Sequence, residues 1–182
     1  RPARPAPPGG RRARRGPPPP VTQPQVAAAR PAAPLPAPQV GEALALALDG
    51  NSPDWSFRRG EEIRLTATVN RAAHLACWSQ DETGAVTRFF PNRFARSSAL
   101  QPGAALQIPG AMPFKLVANR QGLKERILCA ASPRDLLGDL PARVVGNDFD
   151  RLPVQSLDEV AAAFASIPSA AVATRMVDVL VR

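Results

Sequence analysis

HLACWSQDETGAVTRFFPN, residues 74–92, decides the fold. Two apolar-rich runs, 74–80 and 85–90, flank Asp81-Glu82-Thr83-Gly84, an acidic four-residue link that ends in glycine. Strand pattern, Gly-containing link and strand pattern together predict an antiparallel hairpin. Pro91 lacks a ladder donor and should end the second strand, and Asn92 suits the turn that follows. In a regular strand adjacent residues point to opposite faces. One of Phe89 and Phe90 is therefore expected inside and the other outside, with the assignment left open.

Upstream, ALALALD at 43–49 and EEIRLTATV at 61–69 alternate with a period of two. Ile63, Leu65, Ala67 and Val69 share one face of a half-exposed strand, while GNSPDWSF between the two runs reads as a loop. Downstream, ALQIP at 105–109, FKLVAN at 114–119 and ERILCAAS at 125–132 continue the series. Residues 120–124, with Gly122, form a link of hairpin length. About seven strand patterns without an intervening helix predict a mainly β domain, an antiparallel sandwich or barrel-like sheet. A single C-terminal helix is expected near 156–166. Ser156-Leu157-Asp158-Glu159 has the form of a capping box, and Leu157, Val160, Ala161 and Phe164 form its apolar stripe. The β-branched run near 172–181 should return as a last strand.

Residues 1–39 differ in kind. They hold 13 of the 22 prolines, seven of the 23 basic residues and none of the 15 acidic ones, so the remainder of the chain is close to neutral. This composition predicts a disordered, polyproline-II-leaning linker or arm, followed by one globular domain over 40–182. Arg11, Arg12, Arg14 and Arg15 are candidates for contact with an anionic surface. Aromatic and basic residues are not interleaved there, which disfavours specific nucleic-acid binding. No run is long and apolar enough for a membrane helix, and no secretory h-region follows Arg1. The chain reads as a mature or truncated piece of a longer one.

Candidates for chemistry are few. His74 is the single histidine, and it sits three residues from Cys77 on a predicted strand, so the two project to opposite faces. Cys77 and Cys129 each share a face with an apolar neighbour, Leu75 and Ile127. Both sulfurs should point into the core, either as a disulfide or as two buried thiols. One His and two Cys fall short of a closed zinc site. Asn147-Asp148-Phe149-Asp150 alternates oxygens, yet lacks the Gly and the later Glu of a calcium loop. No Gly-rich phosphate loop occurs, and no cofactor is expected. The candidate contact patch is Arg88, Phe89, Phe90, Pro91, Asn92, Arg93, Phe94 and Arg96, in which exposed aromatics flanked by arginines would meet a partner.

RRGEEIRLTATVN at 58–70, HLACWSQDETGAVTRFFPN, ALQPGAALQIPG at 99–110 and KLVANRQGLKERILCAAS at 115–132 together form a recognisable order. A GE turn, a Gly hairpin and a strand closing on FPN occur at characteristic spacings. From Gly41 to about Ser132 the chain resembles the bacterial domain-of-unknown-function family 4384. It departs from that family at His74 and Leu75, where an aromatic pair is usual. The resemblance implies a small noncatalytic β module in envelope-associated or multidomain proteins, beside domains that include caspase-like peptidases. The expectation is an interaction module bound to another protein of an envelope assembly, periplasmic or outer-membrane-associated. The alternative is an accessory domain of a larger multidomain hydrolase.

Overall fold

The computed structural model describes residues 42–119 and 124–182. These belong to one unit, Leu35–Arg182. The arm with Arg11, Arg12, Arg14 and Arg15 lies outside the described residues.

In chain order the elements are β1 (Leu46–Gly50), β2 (Ser56–Phe57), β3 (Glu62–Ile63), β4 (Leu65–Val69), β5 (Ala73–Gln80), β6 (Val86–Phe90), β7 (Ala99–Leu100), β8 (Leu106–Ile108), β9 (Leu116–Val117) and β10 (Lys124–Ser132). They continue with α1 (Ala142–Val145), α2 (Leu157–Ala165) and β11 (Ala173–Val181). The main sheet runs β2-β11-β10-β5-β6, with β7 also pairing with β5. A second sheet runs β1-β4-β8, and β3 pairs with β9. Pairing is antiparallel except between β2 and β11. The mainly β fold with a C-terminal helix is thus present, and the short α1 is an addition to it.

The predicted hairpin forms as β5–β6. Asp81 Oδ1 accepts the backbone N–H groups of Thr83 and Ala85 at 2.8 and 2.9 Å, and Gly84 takes φ 83°. An aspartate that satisfies the turn amides leaves the left-handed position to glycine.

The main sheet is covered on both sides. On one face Leu75, Ile127 and Val179 pack against Leu48, Leu65 and Ile108 of the smaller sheet. On the other, Ala76, Trp78, Val86 and Leu128 lie under Val144 of α1 and Leu157, Val160 and Phe164 of α2. Hence β5 is nearly continuously apolar rather than alternating, as a strand buried on two faces must be. Trp78 shows the fit: its indole N–H donates to the Val144 carbonyl at 3.0 Å, and its ring meets Phe164 edge-on at 5.5 Å.

Three local expectations change. EEIRLTATV does not run as one strand, because Asn51 inserts at Arg64. Its Oδ1 accepts the Arg64 N–H at 2.8 Å and its own N–H donates to the Arg64 carbonyl at 3.0 Å, so β3 and β4 join different partners. GNSPDWSF, read as a loop, ends in β2. The capping box is also incomplete, since the Ser156 side chain makes no cap bond. Gln80 from β5 instead accepts the Leu157 N–H at 3.2 Å, and Glu159 accepts that of Gln155 at 2.8 Å.

Candidate functional site

The candidate patch begins at the end of β6, where the alternation rule fails. Cys77 pairs with Phe90 and Trp78 with Arg88, which leaves Phe89 as an extra residue on β6. Such a bulge turns two successive side chains toward one face. Phe89 and Phe90 are accordingly both buried in the core facing the smaller sheet. The expectation that one of them is exposed is therefore corrected, and neither ring is available as a contact anchor.

Pro91, Asn92 and Arg88 are buried too. Asn92 holds the turn together. Its amide donates to the Phe89 carbonyl at 2.7 Å, and its Oδ1 accepts the N–H groups of Phe94 and Ala95 at 2.8 and 2.9 Å. Arg88 runs beneath the loop after α1, donating to the carbonyls of Val145 and Gly146 at 3.0 and 3.3 Å and also to that of Pro91. Its burial pulls the guanidinium below its ordinary value, while Asp148 acts in the opposite sense. Gly146 is required here. At φ 46° a Cβ would run into the Leu152 side chain. Of the predicted patch, only Arg93, Phe94 and Arg96 remain exposed.

What these ties position is a cluster that joins Arg93 and Phe94 of the predicted patch to Phe114, Asp148 and Phe149 outside it. The Phe149 N–H donates to the Arg88 carbonyl at 2.9 Å, and Phe149 adopts φ 66°, a conformation that costs an aromatic residue energy. Its ring lies 4.9 Å from Phe114 and 6.2 Å from Phe94, with the Arg93 guanidinium 5.8 Å from its centroid. Arg93 also grips Asp148, donating from both its backbone N–H and Nε to Oδ2 at 2.9 Å. These bonds, the side-chain one first, hold the Asp148 carboxyl at about 2. Phe94 is 48% exposed, the largest exposure of any bulky apolar side chain among the described residues.

The cluster borders a cleft of about 280 Å³. Phe114 and Phe149 wall it, Phe89, Ile127 and Val179 line it, and Lys115 and Arg126 bring cationic groups. Ser79 and Thr87 also line it, with their hydroxyls paired to each other at 3.0 Å. Asp81 and Glu125 line it as well, so the cleft offers aromatic walls to an apolar side chain with ionic groups of both signs beside them. In Asn147-Asp148-Phe149-Asp150 the oxygens are spent within the fold, and the ring between them is what reaches the cleft. Asp148 is taken by Arg93, and Asp150 accepts from the Asn147 amide at 3.0 Å. Nothing in the sequence around Phe114 marks it for this role.

The remaining candidates lie elsewhere. His74 Nδ1 sits 2.8 Å from Ser98 Oγ, which lies 3.4 Å from an Asp135 carboxylate oxygen. Serine stands between the other two, so histidine cannot act as the central relay of a hydrolytic triad. Ser98 is buried, and the cavity beside His74 holds only about 10 Å³. Cys77 and Cys129, directly paired on β5 and β10, are joined as a disulfide with no solvent exposure. Among the described residues no cluster of His, Cys, Asp or Glu is placed to hold a metal ion, and no helix is long and apolar enough to cross a membrane.

Comparison with known proteins places part of this chain. No curated protein matches it. One solved structure, that of the sporulation control protein Spo0M from Bacillus subtilis, is 12% identical with a TM-score of 0.33. That alignment covers 78% of this chain and 50% of the Spo0M chain, and a likeness of this degree supports no argument. Residues 56–135 match the family model described as Domain of unknown function (DUF4384). The match contains the GE turn, the Gly hairpin, FPN, Phe94 and Phe114, while Phe149, α2 and β11 lie beyond it. Residues 56–135 thus match the DUF4384 family, the family whose motifs the sequence displays.

Proposed function

We propose that the domain is a noncatalytic interaction module of a bacterial envelope-associated assembly, and that it holds another protein through Phe94, Phe114 and Phe149 at the mouth of the cleft. The observation that carries this reading is the exposed Phe94 ring beside Phe149, itself kept at positive φ by Arg88 and Arg93. Exposed aromatics next to an arginine are the side chains that dominate binding energy at interfaces. Because the cluster is already ordered, little entropy is lost when a partner arrives. The Cys77–Cys129 disulfide supports an oxidising compartment, periplasmic or outer-membrane-associated. A noncatalytic role is supported by the one serine–histidine contact, which is too enclosed to receive a substrate carbonyl. Arg11, Arg12, Arg14 and Arg15 would add contact with an anionic surface.

The test is site-specific photocrosslinking in the native host. A photoreactive residue in place of Phe94 should yield one discrete covalent adduct in the envelope fraction, lost when Phe149→Ala is added. The same probe at exposed Ala171 should give none. Absence of any adduct at Phe94, or equal labelling at both positions, would overturn the proposal.

A further inference from the structure

His74 and Ser132 face each other across β5 and β10. Both lie on the helix-covered side of the main sheet, because Ala76 and Ala130, two places along their strands, belong to the core beneath α1 and α2. Ser132 is 4% exposed, and its hydroxyl has no hydrogen-bond partner among the described residues. Such a group is costly, and native folds satisfy nearly all of them through protein or ordered water. The polar neighbours here are engaged elsewhere. His74 Nδ1 is held by Ser98 at 2.8 Å, and Arg134 pairs with Asp139. Asp135 accepts the Leu137 N–H through Oδ1 at 3.0 Å and faces Ser98 Oγ through Oδ2 at 3.4 Å. What Ser132 and His74 share is the cavity of about 10 Å³, closed by residues 134–137 and by Phe164 of α2. That volume is roughly the room one water molecule needs.

We infer that this cavity is a hydration site, in which one water molecule bridges Ser132 Oγ and His74 Nε2. The bridge completes a chain of hydrogen bonds from β10 through β5 to Ser98, just before β7, and on to Asp135. Its direction is fixed at the far end. An ionised carboxylate only accepts, and a hydroxyl has one hydrogen to give. Ser98 therefore donates to Asp135 and accepts from His74, which puts the ring proton on Nδ1 and leaves Nε2 as an acceptor. The water donates to Nε2 and accepts the hydroxyl hydrogen of Ser132. Each member thus gives one hydrogen toward Asp135, and the buried Ser132 hydroxyl is satisfied. The Leu75 N–H donates to the Ser98 carbonyl at 2.8 Å, so the middle of the chain is held from its backbone as well. The water joins the end of β10 to β5 at a point where their facing side chains do not bond directly. This site does not depend on the contact proposed for the Phe94 cluster.

NMR of the full chain tests both the water and the direction of the chain. Cross-relaxation should reveal a long-lived water beside the Ser132 Hβ and His74 Hε1 protons, and Ser132→Ala should abolish it. Nitrogen shifts of the neutral His74 ring should show Nδ1 protonated and Nε2 bare. Asp135→Asn should invert that ratio. Oδ1 must still accept the Leu137 N–H, so the new amide NH2 falls where Oδ2 faced Ser98. Ser98 then donates to Nδ1, and the ring proton moves to Nε2. Asp135 is exposed, so this change leaves the core intact. The tautomer also reads the direction of the chain, which a loss of packing would not reverse. Absence of the long-lived water overturns the inference, as does a water that persists unchanged in Ser132→Ala. So does a ring protonated on Nε2 in the unsubstituted chain, or one whose tautomer ignores Asp135→Asn.

Discussion

Asp148 is the residue on which the exposed cluster turns. Arg93 donates to it from backbone and side chain at once, and the same guanidinium lies over Phe149. The bonded anion is favoured over the neutral acid, so the carboxyl falls from 3.8 to about 2. A depressed acid contributes stability that is complete above its unfolded value, near pH 4, and lost as the pH falls through about 2. The side-chain carboxyl resonance of Asp148 should therefore titrate near pH 2 by NMR, and Arg93→Ala should return it toward the ordinary carboxylate range. A midpoint close to 3.8 in the unsubstituted protein would show that the clamp does not form in solution. At this scale the sequence was only partly legible. Arg93, Phe94 and Arg96 are exposed as read, but their stage is set by Asp148 and Phe149, more than fifty positions downstream. A local window around FFPNRF contains no sign of them.

Among the elements, β6 carries the sharpest prediction. Since the bulge sends both rings inward, Phe89→Ala and Phe90→Ala should each cost about 3–5 kcal/mol, as truncations of core phenylalanine do. Urea denaturation would measure both. A loss below about 1 kcal/mol for either would mean regular alternation, with that ring outside. The bulge was hidden because parity arguments assume an unbroken register, and two identical residues give no hint of which is extra. The break between β3 and β4 is hidden for a similar reason: the interruption comes from Asn51, outside the run. β5 and β6 were legible from the Gly-ended acidic link between two apolar runs, and α2 and β11 from their own patterning. β2 and β7 were not, since a two-residue strand takes its conformation from its partner.

For the molecule as a whole, the disulfide joins neighbouring strands of the one sheet that both cores share. With a sequence separation of 52 between its ends, the bond should contribute about 4 kcal/mol in the chain-entropy model. The paired substitution Cys77→Ala with Cys129→Ala should lower stability by about that amount at equilibrium in denaturant. Because both sulfurs are sealed from solvent, reduction of the native protein should proceed at the rate of global unfolding. Rapid reduction under native conditions would show that β5 and β10 separate locally. The inward direction of both sulfurs was readable from strand parity, but their bonding was not. Parity selects a face, whereas register between β5 and β10 is set by contacts distant in the chain. The same limit hid the three-layer arrangement: apolar patterns mark which surfaces are buried without saying against what.

Phe89 belongs at once to the core beneath the smaller sheet and to the lining of the cleft. A cleft lined by a core side chain cannot drift as freely as one built on a loop. Any change at this position that reshapes the cleft also draws on a stability margin of about 5–15 kcal/mol. If the proposed contact diversifies among relatives, it should do so at exposed Phe94, Arg96 and Lys115, while the buried part of the cleft lining changes only together with compensating core substitutions. In an evolutionary sense the bulge couples the history of the cleft to that of the fold.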